Sequence, residues 1–309
     1  MNWNKPISRR TALMTTASLP LLGAGLPGIR AAEAAGAACS GATAPSKPEP
    51  VALAGPALLE AYMKMRARTD GRVAPSWMDA STYAFIEGET FPLYRLFAAT
   101  WYQYKRVSPD RYEGAAVEVA FYLDIETGEP LETLQMPRKG HVVTVPRYRA
   151  GPTKTSMELH SATEQPFGMA KEGGAFFRAG VARSRTDVGH PTRDGKVFNV
   201  TDHHETRVIP DAPNAPGFFY SEWIIRRAAW DAVMDPRRAS APTEVVYSSV
   251  AAYRPWMKME GVPGHTIQSG LGATVERVED FPAGILELCR KYHPDLVEQP
   301  EKVFAAASA

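Results

Sequence analysis

Between Trp77 and Leu134 the sequence leaves almost no room for helices between its extended segments. Runs at Trp77 to Glu87, Pro92 to Ala99, Thr100 to Val107, Tyr112 to Asp124 and Glu129 to Leu134 are punctuated only by Glu87-Gly88-Glu89, Ser108-Pro109-Asp110 and Glu126-Thr127-Gly128. Parallel neighbours need a crossover of roughly a dozen residues or more, so connections this short demand an antiparallel meander. The Tyr112 to Asp124 run alternates cleanly. Val117, Val119, Phe121 and Leu123 face one way, while Ala116, Glu118, Ala120 and Tyr122 face the other.

Further strands are predicted at His141 to Tyr148, Ala175 to Arg185, Val197 to Ile209, Phe218 to Arg227, Glu244 to Tyr253 and Thr266 to Val275. About ten strands in one sheet close on themselves or split into two layers. The expected fold class is therefore mainly β: an antiparallel barrel of the lipocalin or calycin kind, or a sandwich, with a few peripheral helices. Three helices are expected. Pro56 to Thr69 carries a stripe of Leu58, Tyr62 and Met65 with Leu59 and Met63 beside it, and Asp70-Gly71 ends it. Trp230 to Asp235 is stopped by Pro236, and Phe281 to Tyr292 has Asp280 as N-cap and an apolar face of Ile285, Leu288 and Cys289. Residues 149 to 174, with Pro152, Pro166 and Gly173-Gly174, read as a long loop over the barrel mouth.

One predicted strand is unlike the others. Lys196 to Ile209 is apolar at both ends, yet its middle holds Asp202, His203, His204, Glu205 and Arg207. Strand parity puts Asn199, Thr201, His203, Glu205 and Arg207 on one face and Phe198, Val200, Asp202, His204, Thr206 and Val208 on the other. One face must meet water, a cavity or partner charges. The plain reading is a solvated outer face. The functional reading is a polar wall inside the barrel, where His203 and Glu205 move protons and His204 sits outside. On the next strand, Tyr220 and Glu222 share a face that can oppose these groups, or Glu222 pairs with Arg207 or Arg226.

The first 38 residues read as an export signal. Lys5, Arg9 and Arg10 form a basic start, and Ser8 to Met14 resembles the twin-arginine consensus, departing from it at Ala12 and Met14. A weakly apolar run from Ala12 to Ile29 follows, too short and too rich in Gly and Pro for a spanning helix. Ala32-Glu33-Ala34 is a cleavage candidate. Residues 39 to 55 form a proline-bearing linker, and 56 to 309 a single domain. Cys39 lacks the upstream Leu of a lipoprotein signal, and with Cys289 as the only other cysteine no disulfide framework or cysteine zinc site can be assembled. The chain has 35 Lys+Arg and 34 Asp+Glu, and the first 38 residues hold four basic and one acidic, leaving 31 against 33. No basic stripe points to nucleic acid or to an anionic membrane.

Several blocks together resemble an uncharacterised bacterial and fungal family, domain of unknown function 1838. They are Met63-Lys64-Met65-Arg66, Tyr122-Leu123-Asp124-Ile125-Glu126-Thr127-Gly128-Glu129, and Arg254-Pro255-Trp256-Met257-Lys258-Met259 with Pro263-Gly264 downstream. Met136-Pro137 stands where relatives tend to show Asn-Pro, and Glu260-Gly261-Val262 where Gly-Asp-Arg is usual. The resemblance implies one domain over about residues 52 to 298 and transfers no catalytic residues.

No Gly-x-Gly-x-x-Gly follows a strand, no phosphate loop or Gly-x-Ser-x-Gly elbow is present, and no cofactor is evident. A metal at His203 and Glu205 would need distant ligands such as His141, His160 or His265. Two readings follow. In the first, the protein is a periplasmic hydrolase, lyase or isomerase acting on a small apolar or aromatic molecule in the barrel. His203 is its acid or base, Glu205 or Glu222 orients it, and Arg207 or Tyr220 stabilises an anionic intermediate. In the second, the barrel is a non-catalytic carrier. The expected partners are that small molecule and the twin-arginine export machinery, with no membrane span once the signal is removed.

Export is directly checkable. Mass spectrometry of the native protein should show the loss of roughly the first 30 to 40 residues. Changing Arg9 and Arg10 together to Lys should leave the full-length chain in the cytoplasm, and an unaltered distribution would refute the signal.

Overall fold

One antiparallel sheet runs through the protein and carries everything else. The computed structural model describes residues 48–167, 170–172, 175–177, 180–211 and 217–308, all within the unit Ser46–Ala309. Its strands are β1 (Glu49–Pro50), β2 (Ala74–Ile86), β3 (Glu89–Ser108), β4 (Arg111–Leu123), β5 (Thr133–Gln135), β6 (Val142–Thr144), β7 (Tyr148–Met157), β8 (His160–Phe167), β9 (Ala170–Glu172), β10 (Ala175–Phe177), β11 (Gly180–Asp194), β12 (Val197–Pro210), β13 (Phe218–Ala229), β14 (Thr243–Ala251) and β15 (His265–Thr274). Its helices are α1 (Gly55–Arg66), α2 (Trp230–Met234), α3 (Ala283–Tyr292), α4 (Pro294–Glu298) and α5 (Pro300–Ser308).

Eleven strands pair in the order β1-β11-β12-β13-β14-β15-β2-β3-β4-β7, with β8 also against β11. The sheet curls into a half-barrel, so the mainly β, antiparallel architecture expected from strand spacing is the one found. Its two ends are consecutive in the chain. β7 pairs with β4 and β8 with β11, although only Glu158 and Leu159 separate them. The curl therefore stops at a slit between two strand edges.

The alternation in β4 sorts the interior from the exterior. Val117, Val119, Phe121 and Leu123 point outward and are covered by Ile285, Leu286, Cys289, Leu296 and Phe304 of α3 to α5. Burial pushes the Cys289 thiol up to about 12, as suits a small buried hydrophobe. Ala116 and Glu118 line the lumen on the concave side. One end of that lumen is plugged by α1, whose Leu58, Leu59, Tyr62, Met63 and Met65 pack among Tyr104, Tyr112, Phe198 and Val200. Lys64 anchors the plug, its buried Nζ donating to Val233 O at 3.2 Å and Asp235 O at 3.0 Å. The other end is filled by Trp256, Met257 and Met259 against Ile86, Leu93, Tyr94 and Tyr122. The Trp256 ring lies 5.4 Å from that of Tyr122 in edge contact.

Several expectations need correction. β3 is one strand of 20 residues rather than two, because Ala98 and Thr100 face the lumen while Ala99 and Trp101 face the helices without a break. Residues 149–167 are not a loop. They form β7 and β8, which tolerate Pro152 and Pro166 because both are edge strands and Pro152 falls in a register shift opposite Ala116 and Glu118. Gly173 and Gly174 lie outside the described residues. Asp280 does not cap α3, which begins after Pro282; it pairs instead with Arg277 at 3.1 Å.

The plug at the Trp256 end is testable. Removing a 2 % exposed Trp leaves a large void, so Trp256→Ala should cost about 3–5 kcal/mol. Calorimetry should show the unfolding midpoint falling by roughly 6–20 °C. A drop within about 2 °C would mean that this end is not part of the cooperative core.

Candidate functional site

β12 pairs with β13 in unbroken register from Val197 opposite Ala229 to Val208 opposite Phe218, so its side chains alternate strictly. Phe198, Val200 and Val208 are buried and fix which face is inside. They carry Asp202, His204 and Thr206 inward with them.

Asp202 is fully buried. The Tyr62 hydroxyl donates to its Oδ2, and Arg226 donates to the same oxygen through Nε and Nη2, each at 3.2 Å. Arg66 Nη1 lies 3.7 Å from it and donates to the Tyr62 hydroxyl at 3.3 Å. Burial alone would raise the Asp202 pKa. The Arg226 guanidinium, the His204 contact and Arg66 together reverse this and hold it well below the usual carboxylate range. Burial pushes the Tyr62 phenol well up, so it stays a donor. Both guanidiniums also rest on aromatic faces, Arg66 at 4.9 Å from the Tyr102 centroid and Arg226 at 5.6 Å from that of Tyr62. His204 joins from the same strand. Its Nε2 stands 3.5 Å from Asp202 Oδ2, close enough for charge interaction but without a hydrogen bond, and its Nδ1 is 2.9 Å from Thr186 Oγ1 on β11.

A second polar group lies on the lumen wall. Tyr220 donates to Glu222, and its hydroxyl is 3.0 Å from that of Tyr247. Tyr247 and Ser249 each donate to Gln268 Oε1 at 3.2 Å, and Gln268 Nε2 donates to Thr82 at 3.1 Å. Burial, then the Glu222 charge, push the Tyr220 phenol well above its ordinary value. Between wall and plug lies a cavity of about 420 Å³. Arg66, Arg226, Glu222 and Tyr220 line it together with Trp77, Met78, Leu96, Ile224 and Val245.

Of the five residues singled out in the sequence, Tyr220 and Glu222 face this cavity. His203, Glu205 and Arg207 do not. They lie on the outer face, where the His203 ring stacks on Trp223 at 5.1 Å with Nε2 2.9 Å from Ser221 Oγ, and Glu205 pairs with Arg207 at 2.9 Å. His204, not His203, turns inward, and Arg226 pairs with Asp202 rather than Glu222. The usable signal was the company each face keeps: Phe198, Val200 and Val208 share parity with Asp202 and His204. Tyr62, Arg66, Tyr247 and Thr186 come from other strands and from α1, and no local pattern marks them. Among the described residues no three His, Cys, Asp or Glu side chains converge as a metal would require. His141 instead contacts Met257 O at 3.0 Å, and His160 contacts Asp187 at 3.2 Å.

Comparison with protein-family models, curated proteins and solved structures returns no match.

The Asp202 cluster predicts a pH dependence with a definite sign. A depressed native pKa contributes stability above about pH 4, the ordinary Asp value, and that contribution is lost as pH falls below it toward the native pKa. Asp202→Asn, which strands two buried guanidiniums, should cost about 3–5 kcal/mol at pH 7. Urea titrations should show the gap to wild type narrowing below about pH 4. A gap that is constant with pH would mean that Asp202 is not the ionised partner.

Proposed function

We propose that this protein is an exported, periplasmic receptacle for a small molecule with an apolar or aromatic body, held in the lumen of the curled sheet. The observation that carries this reading is the cavity between the two plugs. Its volume, about 420 Å³, falls within the range of small-molecule sites, and it combines apolar walls with a few convergent polar groups. Trp77, Met78 and Ile224 supply the apolar surface, while Arg66, Arg226, Tyr220 and Glu222 supply orientation. Three of the five candidate catalytic groups, His203, Glu205 and Arg207, are on the outer face, which favours holding a molecule over transforming it in the lumen.

A second reading rests on the Tyr220–Glu222 pair. A carboxylate beside a buried phenol on the cavity wall suits proton transfer of the isomerase or lyase type on the bound molecule. On that reading Glu222→Gln would keep binding and lose turnover.

The receptacle is tested with a neutral aromatic probe, N-phenylnaphthylamine, by fluorescence titration of the purified protein. Wild type should bind one equivalent saturably. Val245→Trp, which fills the lumen, should raise Kd at least ~10-fold, the scale of about 1.4 kcal/mol, with the far-UV spectrum unchanged. Equal affinity in the two proteins would remove the lumen as the site.

A further inference from the structure

The slit between β7 and β8 is a second opening, of about 820 Å³, distinct from the lumen cavity. Its walls carry the hydroxyls of Ser161, Thr163, Ser184 and Thr186 and the ammonium groups of Lys105 and Lys154. Thr186 is also the residue whose Oγ1 lies 2.9 Å from His204 Nδ1. A hydroxyl, an imidazole and a buried carboxylate thus stand in series, from the slit wall to the fully buried Asp202. We propose that Thr186, His204 and Asp202 form an acyl-transfer site that hydrolyses small carboxylic esters entering through the slit.

The protonation pattern follows from the neighbours. Asp202 is ionised and is an acceptor only, so the His204 nitrogen facing it, Nε2, carries the proton. Nδ1 then keeps a lone pair for the Thr186 hydroxyl, the arrangement an activated nucleophile needs. In the first half-reaction Thr186 Oγ1 bonds to the ester carbonyl carbon and its proton passes to Nδ1. The C–O bond to the alcohol breaks, and the alcohol leaves with that proton. In the second half-reaction water gives a proton to Nδ1 and attacks the acyl-threonine, releasing the acid and restoring the hydroxyl. Two features can meet the developing oxyanion. Ser161 lies directly opposite Thr186 across the β8–β11 pair. β8 pairs only with β11, so alternate backbone N–H groups of its other edge face the slit. Thr186 and His204 are the catalytic residues, and Asp202 is a positioning residue. The 3.5 Å separation of Nε2 from Oδ2 is the kind of long contact that tightens when substrate is bound.

This site is independent of the lumen ligand, and its test uses no lumen probe. Purified protein is assayed with nitrophenyl acetate and nitrophenyl butyrate. Wild type should turn both over, and Thr186→Val and His204→Gln should each lower kcat/KM at least ~100-fold, while Thr186→Ser retains activity. Asp202→Asn is expected to be destabilised, so its kcat is read per folded protein, with the folded fraction measured by circular dichroism at the assay temperature, and should still be lower with KM unchanged. Phenylmethanesulfonyl fluoride should label the peptide containing Thr186, as read by mass spectrometry. Ester turnover that is absent in wild type, or equal in Thr186→Val, overturns the proposal, and so does a label placed elsewhere. Because the Thr186 variant removes nothing from the Asp202 ion cluster, a folding failure at His204 or Asp202 does not shelter it.

Discussion

The interior depends on the carboxylate of Asp202. It is fully buried at the middle of β12, and these partners come from two other elements: Tyr62 and Arg66 from α1, Arg226 from β13. A charge at that depth is tolerated only while those partners stay in place, since losing one strands the rest at a cost of several kcal/mol. The α1 plug is therefore held by more than Leu58, Leu59, Met63 and Met65. Withdrawing it would take Tyr62 and Arg66 away from Asp202 and leave Arg226 facing the carboxylate alone. Two guanidiniums against one carboxylate leave positive charge over, and the aromatic faces of Tyr62 and Tyr102 lie where they can share it.

A second constraint decides why the curl stops short. Two strands joined by two residues would ordinarily pair as a hairpin. Here the connection is drawn into the core instead. Met157 is buried against the α1 cluster with Leu159 packed beside it, and Leu159 O accepts from Val188 N at 2.7 Å. Fixing the connection to β11 in this way commits β8 to that strand, while β7 follows β4. The two edges then diverge around the slit. Both bear the marks of protected edges: Pro152 and Lys154 on β7, Pro166 on β8.

The architecture was legible because strand spacing and alternation are local, and antiparallel pairing follows from short connections. The division of β4 between Val117, Val119, Phe121 and Leu123 on one side and Ala116, Glu118, Ala120 and Tyr122 on the other could be read without coordinates. The parity of β12 was equally legible, but not its sense, because titratable groups on both faces drew attention away from Phe198, Val200 and Val208. Edge strands were the least legible. Proline and glycine argue against strand only where the backbone N–H must pair, and β7 and β8 each have one side where it need not. The Asp202 cluster was out of reach for a different reason. Tyr62 lies 140 residues from Asp202 in the chain, and nothing local in α1 separates a tyrosine that packs from one that donates to a buried carboxylate.

The hydrogen-bond ledger of the interior bears on where chemistry sits. Native interiors leave few buried polar atoms without partners, and each one calls for a reason. Among the described residues six such side-chain atoms occur, and three of them, Arg66 Nε, Asp202 Oδ1 and His204 Nε2, belong to one cluster. An unmade bond at this depth costs about 1–3 kcal/mol. The histidine of this cluster contacts, through its other nitrogen, a hydroxyl on the slit wall. The carboxylate that locks the plug is thus also the group against which His204 is oriented. The α1 plug and the slit wall therefore meet through Asp202 and His204.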